Sequence, residues 1–291
     1  MKQSGLVYCA TGLSYARLAI SSIESFFSQG GSSVVEVFTD ENAFDVLSNY
    51  IFSGEVILRR LPNPEEGFVD KISALESTSF SCGVFVDCDT FFPEYPDRLA
   101  GSTFQSDLFE SLASFDLVVL PGFSLNVPRE LQAGSAALGQ WNTGVIGFNR
   151  TKGFLDFLAR WRANYMTTDP HDQPSFRIAL IESKLRVGPL MPEYNFQGHG
   201  SLNAKPLIFH LTGNYRKNWL NDSILLEKLS SAMEKEIYPA FFVEFQRVFP
   251  RPSKLTRTMG PTIGYFLQGI WKWVSTRFDI LTTSNAYHRN L

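Results

Sequence analysis

Two carboxylates separated by one residue end the run Val84-Phe85-Val86-Asp87-Cys88-Asp89-Thr90. An apolar strand that stops at such a pair suits a hard divalent cation, because two carboxylates leave other coordination positions free for phosphate oxygens. A solvated turn after a strand would carry the same Asp-x-Asp, so the pair needs support from its surroundings. Other residues with useful chemistry are scattered along the chain: Tyr15, Lys71, Asn142, Asp172-Gln173 and His210, the last being one of 4 histidines. Each has a plainer alternative. Tyr15 can pack a helix, Lys71 can face solvent, Asn142 can satisfy strand-end backbone, Asp172 can cap the helix that starts near Pro174, and His210 can sit in a core.

The elements that must position these residues follow from the hydrophobic pattern. Strands are expected at residues 6–10, 34–39, 55–60, 84–87, 116–120 and 144–148, with helices at 13–28, 43–52 and 65–79 between the early ones. Such alternation implies an α/β domain with a mostly parallel sheet, whose sites lie beyond the C-terminal ends of the strands. The second half reads as helices at 151–166 and 173–183, a late strand at 207–211, and helical stretches at 222–249 and 262–278 separated by Pro250, Pro252 and Pro261.

Composition excludes several classes. The chain has 291 residues, 44% of them hydrophobic, enough for a sizeable core. A net charge of −3 argues against nucleic acid as partner. Three cysteines, Cys9, Cys82 and Cys88, make neither a disulfide framework nor a zinc spacing, so reduced thiols in a cytoplasmic setting are expected. No secretory leader and no long apolar span is legible. Charge is uneven, however: from Arg247 onward there are seven basic residues and one acidic. Residues 262–278 combine Tyr265, Trp271 and Trp273 with Lys272 and Arg277, which suits either a peripheral contact with the inner membrane face or docking on the domain or a homo-oligomer partner.

Taken in order, six segments resemble the GT-A glycosyltransferases, and most closely the family of glycogenin and the lipooligosaccharide galactosyltransferases. They are Thr11-Gly12-Leu13-Ser14-Tyr15, Lys71 with Asp87-Cys88-Asp89, Asn142-Thr143-Gly144-Val145, Asp172-Gln173, Met191-Pro192-Glu193-Tyr194-Asn195, and Ile208-Phe209-His210-Leu211-Thr212-Gly213. The resemblance covers about residues 5–220. It implies a catalytic domain over 1–220, with a nucleotide-sugar half at about 1–120 and an acceptor half at about 121–220, followed by a helical extension over 221–291. It implies Asp87, Asp89 and His210 as ligands of Mn²⁺ or Mg²⁺, donor contacts at Tyr8, Thr11, Tyr15, Lys71, Asp87, Cys88, Asp89, Gly213 and Lys217, and catalytic-centre roles for Asn142, Asp172 and Gln173. The family's phosphate-contacting lysine has no unambiguous match: Arg216 keeps the spacing and Lys217 keeps the Lys-x-Trp ending, and Lys217 is preferred.

The implied activity is transfer of a hexose from a UDP-sugar to a glycan or lipid-linked acceptor, with retention. Inversion stays open because Asp172 could serve as a base. Competing chemistries fit less well. A haloacid-dehalogenase-type phosphatase needs Thr or Val four residues after Asp87, where Phe91 stands, and a nucleotidyltransferase needs a glycine-rich loop where Ala10-Thr11-Gly12-Leu13 has one glycine. A GT-A-fold protein that binds nucleotide-sugar without transferring it is the alternative.

Overall fold

The computed structural model describes residues 4–65, 67–95, 97–122, 139–165, 172–196 and 206–210. The elements run β1 (Ser4–Ala10), α1 (Leu13–Ser28), β2 (Val34–Thr39), α2 (Glu41–Ser48), β3 (Val56–Arg60), α3 (Phe68–Ser77), β4 (Cys82–Val86), three two-residue strands β5 (Thr90–Phe91), β6 (Glu94–Tyr95) and β7 (Arg98–Leu99), α4 (Ala100–Ser111), β8 (Leu117–Gly122), β9 (Gln140–Asn149), α5 (Lys152–Asn164), α6 (Gln173–Ile181), β10 (Val187–Pro189) and β11 (Phe209–His210).

The expected α/β layering is present. The central sheet has the order β10-β8-β9-β4-β1-β2-β3, and all its strands run the same way except β9, which is antiparallel to both β4 and β8. The C-terminal ends of β1, β2 and β4 therefore share one edge with the start of β9, and the residues with useful chemistry collect at that edge. On one face lies a core of Val7, Phe85, Val119 and Ile146 from the strands with Ile72 and Leu75 of α3, Phe157 and Trp161 of α5 and Phe176 of α6. On the other face α1 and α4 meet through Phe26, Phe92 and Phe104, with ring centroids 5.2 and 5.1 Å apart.

Several boundaries differ from the sequence reading. Helix α2 ends at Ser48, not at 52, and Ile51 beyond it is 92% exposed, so its apolar side chain did not mark a buried face. Helix α3 begins at Phe68, because the Asp70 carboxylate accepts from the backbone N–H of Glu65 and shapes the preceding residues as a turn. Helix α4 was not anticipated: its sequence is mostly small and polar, with only Ala100, Gly101, Phe104 and Leu108 buried. Strand β9 starts four residues earlier than expected, and its pairing with β8 breaks. Val119 opposes Ile146, yet Leu120 opposes Asn142, so Thr143, Gly144 and Val145 have no partner on β8. A bulge of this kind re-aims side chains and backbone groups out of the ladder.

One buried carboxylate ties α3 to the sheet. Glu36 of β2 is fully buried and accepts from Thr78 Oγ1 (2.6 Å), Ser79 Oγ (2.6 Å), Ser79 N (3.0 Å) and Arg59 Nε (2.7 Å). Burial alone would raise its pKa, but the bonds from Ser79, Thr78 and Arg59 outweigh it and hold the carboxyl below its ordinary value. A depressed folded pKa gives stability that is complete above the ordinary carboxylate range and disappears as pH falls below it. Replacing Glu36 with Gln should cost about 1.5–3 kcal/mol at pH 7. Urea unfolding should show that deficit shrinking as the pH is lowered through the carboxylate range.

Candidate active site

The metal motif is assembled by a small strand pairing. Asp87 follows β4, and Asp89 precedes β5, which pairs antiparallel with β11 so that His210 stands opposite Thr90. That register puts His210 Nε2 3.3 Å from Asp89 Oδ1 and 3.6 Å from Asp87 Oδ2. One ligand atom from each of the three residues falls within 4.8 Å of the others. The turn is braced from below. Thr90 Oγ1 donates to the Asp87 carbonyl (2.8 Å), leaving its oxygen to accept from Ser22 (2.7 Å), and Tyr8 bonds Ser22 in turn (3.1 Å). Tyr8 is fully buried, so its side chain supports the turn and presents no face to a donor. Cys88 turns inward likewise, its thiol donating to the Cys9 carbonyl at 3.1 Å, and burial raises its pKa.

Lys71, expected as a donor contact, is engaged on its interior side. It projects from α3 and is 4% exposed. Its ammonium lies 3.0 Å from Asp87 Oδ1, 3.3 Å from Asp172 Oδ2 and 3.1 Å from the Thr143 carbonyl. An ammonium has three hydrogens, and three acceptors take them. Lys71 therefore holds two carboxylates in place from the interior. Thr143 Oγ1 also donates to Asp172 Oδ2 at 2.9 Å. The Asp172 side chain does not cap α6, although the residue stands at the cap position; its backbone carbonyl accepts from Trp161 Nε1 at 3.3 Å, which fixes it against the aromatic core. Gln173 opens α6 beside it.

The bulge in β9 makes this cluster possible. Thr143, freed from β8, gives its carbonyl to Lys71. The Gly144 carbonyl accepts the Asp87 N–H at 2.8 Å, and its N–H donates to Asn142 Oδ1 at 2.9 Å. Gly144 must lack a side chain, since a methyl group there would overlap the His210 ring. Asn142, expected to hold a sugar hydroxyl, is 4% exposed, and its oxygen meets Gly144 and Asn195.

The charges fit a cation. Three carboxylates, Asp87, Asp89 and Asp172, gather here around one ammonium and one imidazole, those of Lys71 and His210. Burial pushes the Asp87 carboxyl up, with Lys71 pulling against it. Burial pulls the His210 ring down, but Asp89 and then Asp87 outweigh it and raise its pKa. Two carboxylate oxygens and an imidazole nitrogen are an acceptable donor set for Mg²⁺ and a better one for Mn²⁺.

The turn after β1 forms another part of this edge. Thr11 is buried, Tyr15 is 36% exposed and Leu13 is 50% exposed. Gly12 has φ +88, and space around its missing side chain is open. Asp40, absent from the sequence reading, holds this turn: it accepts from Gly12 N at 2.5 Å and from Ala43 N at 2.7 Å, capping α2 at the same time. An aspartate between a strand and a helix was the available signal. Gly213, Lys217 and residues 262–278 lie outside the described residues. Among the described residues no helix is long and apolar enough to cross a membrane.

Among solved structures, the chain is similar to the apo form of the glycosyltransferase GlyE of Streptococcus pneumoniae TIGR4, at 17% identity and TM-score 0.50 over 82% of this chain and 65% of that one. It is also similar to the galactosyltransferase LgtC in complex with donor and acceptor sugar analogues, at 12% identity and TM-score 0.51 over 78% of this chain and 95% of that one. The chain thus spans just under two thirds of the length of GlyE. No family model and no curated protein matches it by sequence. The fold is of the GT-A type, as the sequence resemblance implied.

Replacing Lys71 with Met should leave the buried Asp172 and the partly buried Asp87 without their counter-charge, at a cost of about 3–5 kcal/mol. Thermal unfolding should show this variant regaining stability relative to wild type as the pH is lowered and the Asp87 carboxyl, which burial already pushes up, takes up a proton.

Proposed function

We propose that the chain is a metal-dependent glycosyltransferase that moves a hexose from a UDP-sugar to a glycan or lipid-linked acceptor, with retention of configuration. The observation that carries this reading is the Asp87–Asp89–His210 cluster at the C-terminal edge of a GT-A sheet. Mn²⁺, or Mg²⁺ in its place, would be held by those three residues and would neutralise charge on the departing diphosphate as the glycosidic bond breaks. Thr11 and the half-exposed Tyr15 supply a surface for the uracil, and Gly213 with Lys217 is proposed for the phosphates.

The protein's own groups act by placement. Lys71 holds Asp87 and Asp172 at fixed separation, so the metal side and the sugar side of the site share one anchor. Asp172 is 2% exposed and its Oδ2 is taken by Lys71 and Thr143. Its Oδ1 is proposed to accept a hydrogen bond from a sugar hydroxyl, with Gln173 beside it. A carboxylate pinned in this way orients a substrate better than it removes an acceptor proton, which supports retention over inversion. The aromatic and basic composition of 262–278 supports a peripheral contact with the inner membrane face, where a lipid-linked acceptor would be met in the cytoplasm.

Isothermal titration of the full chain with UDP should give saturable binding with Mn²⁺ and little without it. Asp89→Ala should weaken that binding at least about a hundredfold, in keeping with the several kcal/mol such a cation supplies. Wild-type protein that is folded and ignores UDP under every divalent metal would contradict the reading.

A further inference from the structure

We propose that Asn195, oriented by Asn142, is the positioning residue that fixes the His210 ring with the hydrogen on Nδ1, so that Nε2 is the nitrogen turned toward Asp87 and Asp89 as a metal ligand. The proposal rests on the metal site proposed above and explains how that site is made ready. The argument begins at a group that cannot be turned over. The backbone N–H of Gly144 can only donate, and it lies 2.9 Å from one end of the Asn142 carboxamide, so that end is the oxygen. Asn195 approaches the same oxygen at 2.5 Å and must therefore present its NH₂. The other end of Asn195 is then its oxygen, 2.9 Å from His210 Nδ1. An amide oxygen can only accept, so Nδ1 carries the hydrogen. In the neutral ring that hydrogen is the only one, so Nε2, 3.3 Å from Asp89 Oδ1 and 3.6 Å from Asp87 Oδ2, is the nitrogen that offers a lone pair to a cation held between them.

Each member of the relay is buried: Asn195 is 0%, Asn142 4% and His210 8% exposed. Turning either carboxamide over would set like groups against each other where water has little access to relieve them. The polarity is thus set by the peptide at Gly144, the same residue whose missing side chain makes room for the ring. Partners of this kind, lying behind a metal-binding histidine, orient the ring and tune its affinity for the metal. The Met191–Asn195 turn is itself held in place. Tyr194 Oη donates to Asp107 of α4 at 2.5 Å, and the backbone N–H of Phe196 donates to the Ile208 carbonyl at 3.0 Å. Asn195 therefore reaches His210 from a fixed base.

The test uses the full chain labelled with ¹⁵N-histidine, whose 4 rings can be assigned with His210→Gln. Long-range ¹H–¹⁵N spectra, recorded without metal at a pH where the ring is neutral, should show His210 as the Nδ1–H tautomer. Asn195→Leu should shift the population toward Nε2–H and weaken Mn²⁺ binding about 10–100-fold. Asn195→Asp keeps an acceptor for Nδ1 although it loses the NH₂ that Asn142 receives, so it should keep the Nδ1–H tautomer that Asn195→Leu loses. An Nε2–H tautomer in wild type would overturn the proposal. So would an Asn195→Leu protein that melts earlier yet keeps both the tautomer and the Mn²⁺ affinity, the signature of a merely structural contact. Wild-type protein showing the Nδ1–H tautomer but taking up no Mn²⁺ would overturn the metal reading instead, and the ligand role of Nε2 with it.

Discussion

The carboxylate of Asp87 faces two ways, and the site depends on that division. Oδ1 is bound from the interior by Lys71 at 3.0 Å, while Oδ2 faces His210 at 3.6 Å and the space between them. Its backbone N–H is fixed by the Gly144 carbonyl, which holds the residue in place at the end of β4. Without the ammonium, three carboxylates would crowd one buried edge. With it, the net charge at the edge suits a divalent cation. Lys71 brings Asp172 into the same arrangement, so whatever fixes Asp87 also fixes Asp172, the residue proposed to meet the sugar.

The second constraint is the bulge in β9. A regular antiparallel strand between β4 and β8 would spend its backbone groups on its neighbours. By leaving Thr143, Gly144 and Val145 unpaired on the β8 side, the chain releases the Thr143 carbonyl for Lys71. Asn142, Thr143 and Gly144 then serve three different groups. The first reaches Asn195, the second Lys71 and Asp172, and the third gives room to His210. A substitution at any of the three would be felt at the metal ligands without touching a substrate.

Much of this was legible in the sequence, for identifiable reasons. The strand–helix alternation and the bounds of α1 and β2 were readable because their apolar periods are strong and glycines or polar turns punctuate them. Asp87, Asp89 and His210 could be named as a set because the resemblance ties their order together. What the sequence did not reveal was direction. Lys71, Tyr8 and Asn142 are buried polar residues, and no linear spacing reports which way a buried polar group turns. Helix α4 was missed because its buried stripe is thin, and Asp40 because its partner Gly12 is 28 residues away.

The central claim is that Asp87, Asp89 and His210 bind a divalent cation on which a nucleotide diphosphate rests. Pulsed electron paramagnetic resonance of the Mn²⁺ complex with UDP tests it most directly. The account predicts hyperfine coupling from an imidazole nitrogen and from phosphorus in one complex, with the nitrogen coupling lost in His210→Ala. A Mn²⁺ signal that shows neither coupling in wild-type protein, or a nitrogen coupling that survives the loss of His210, would contradict it.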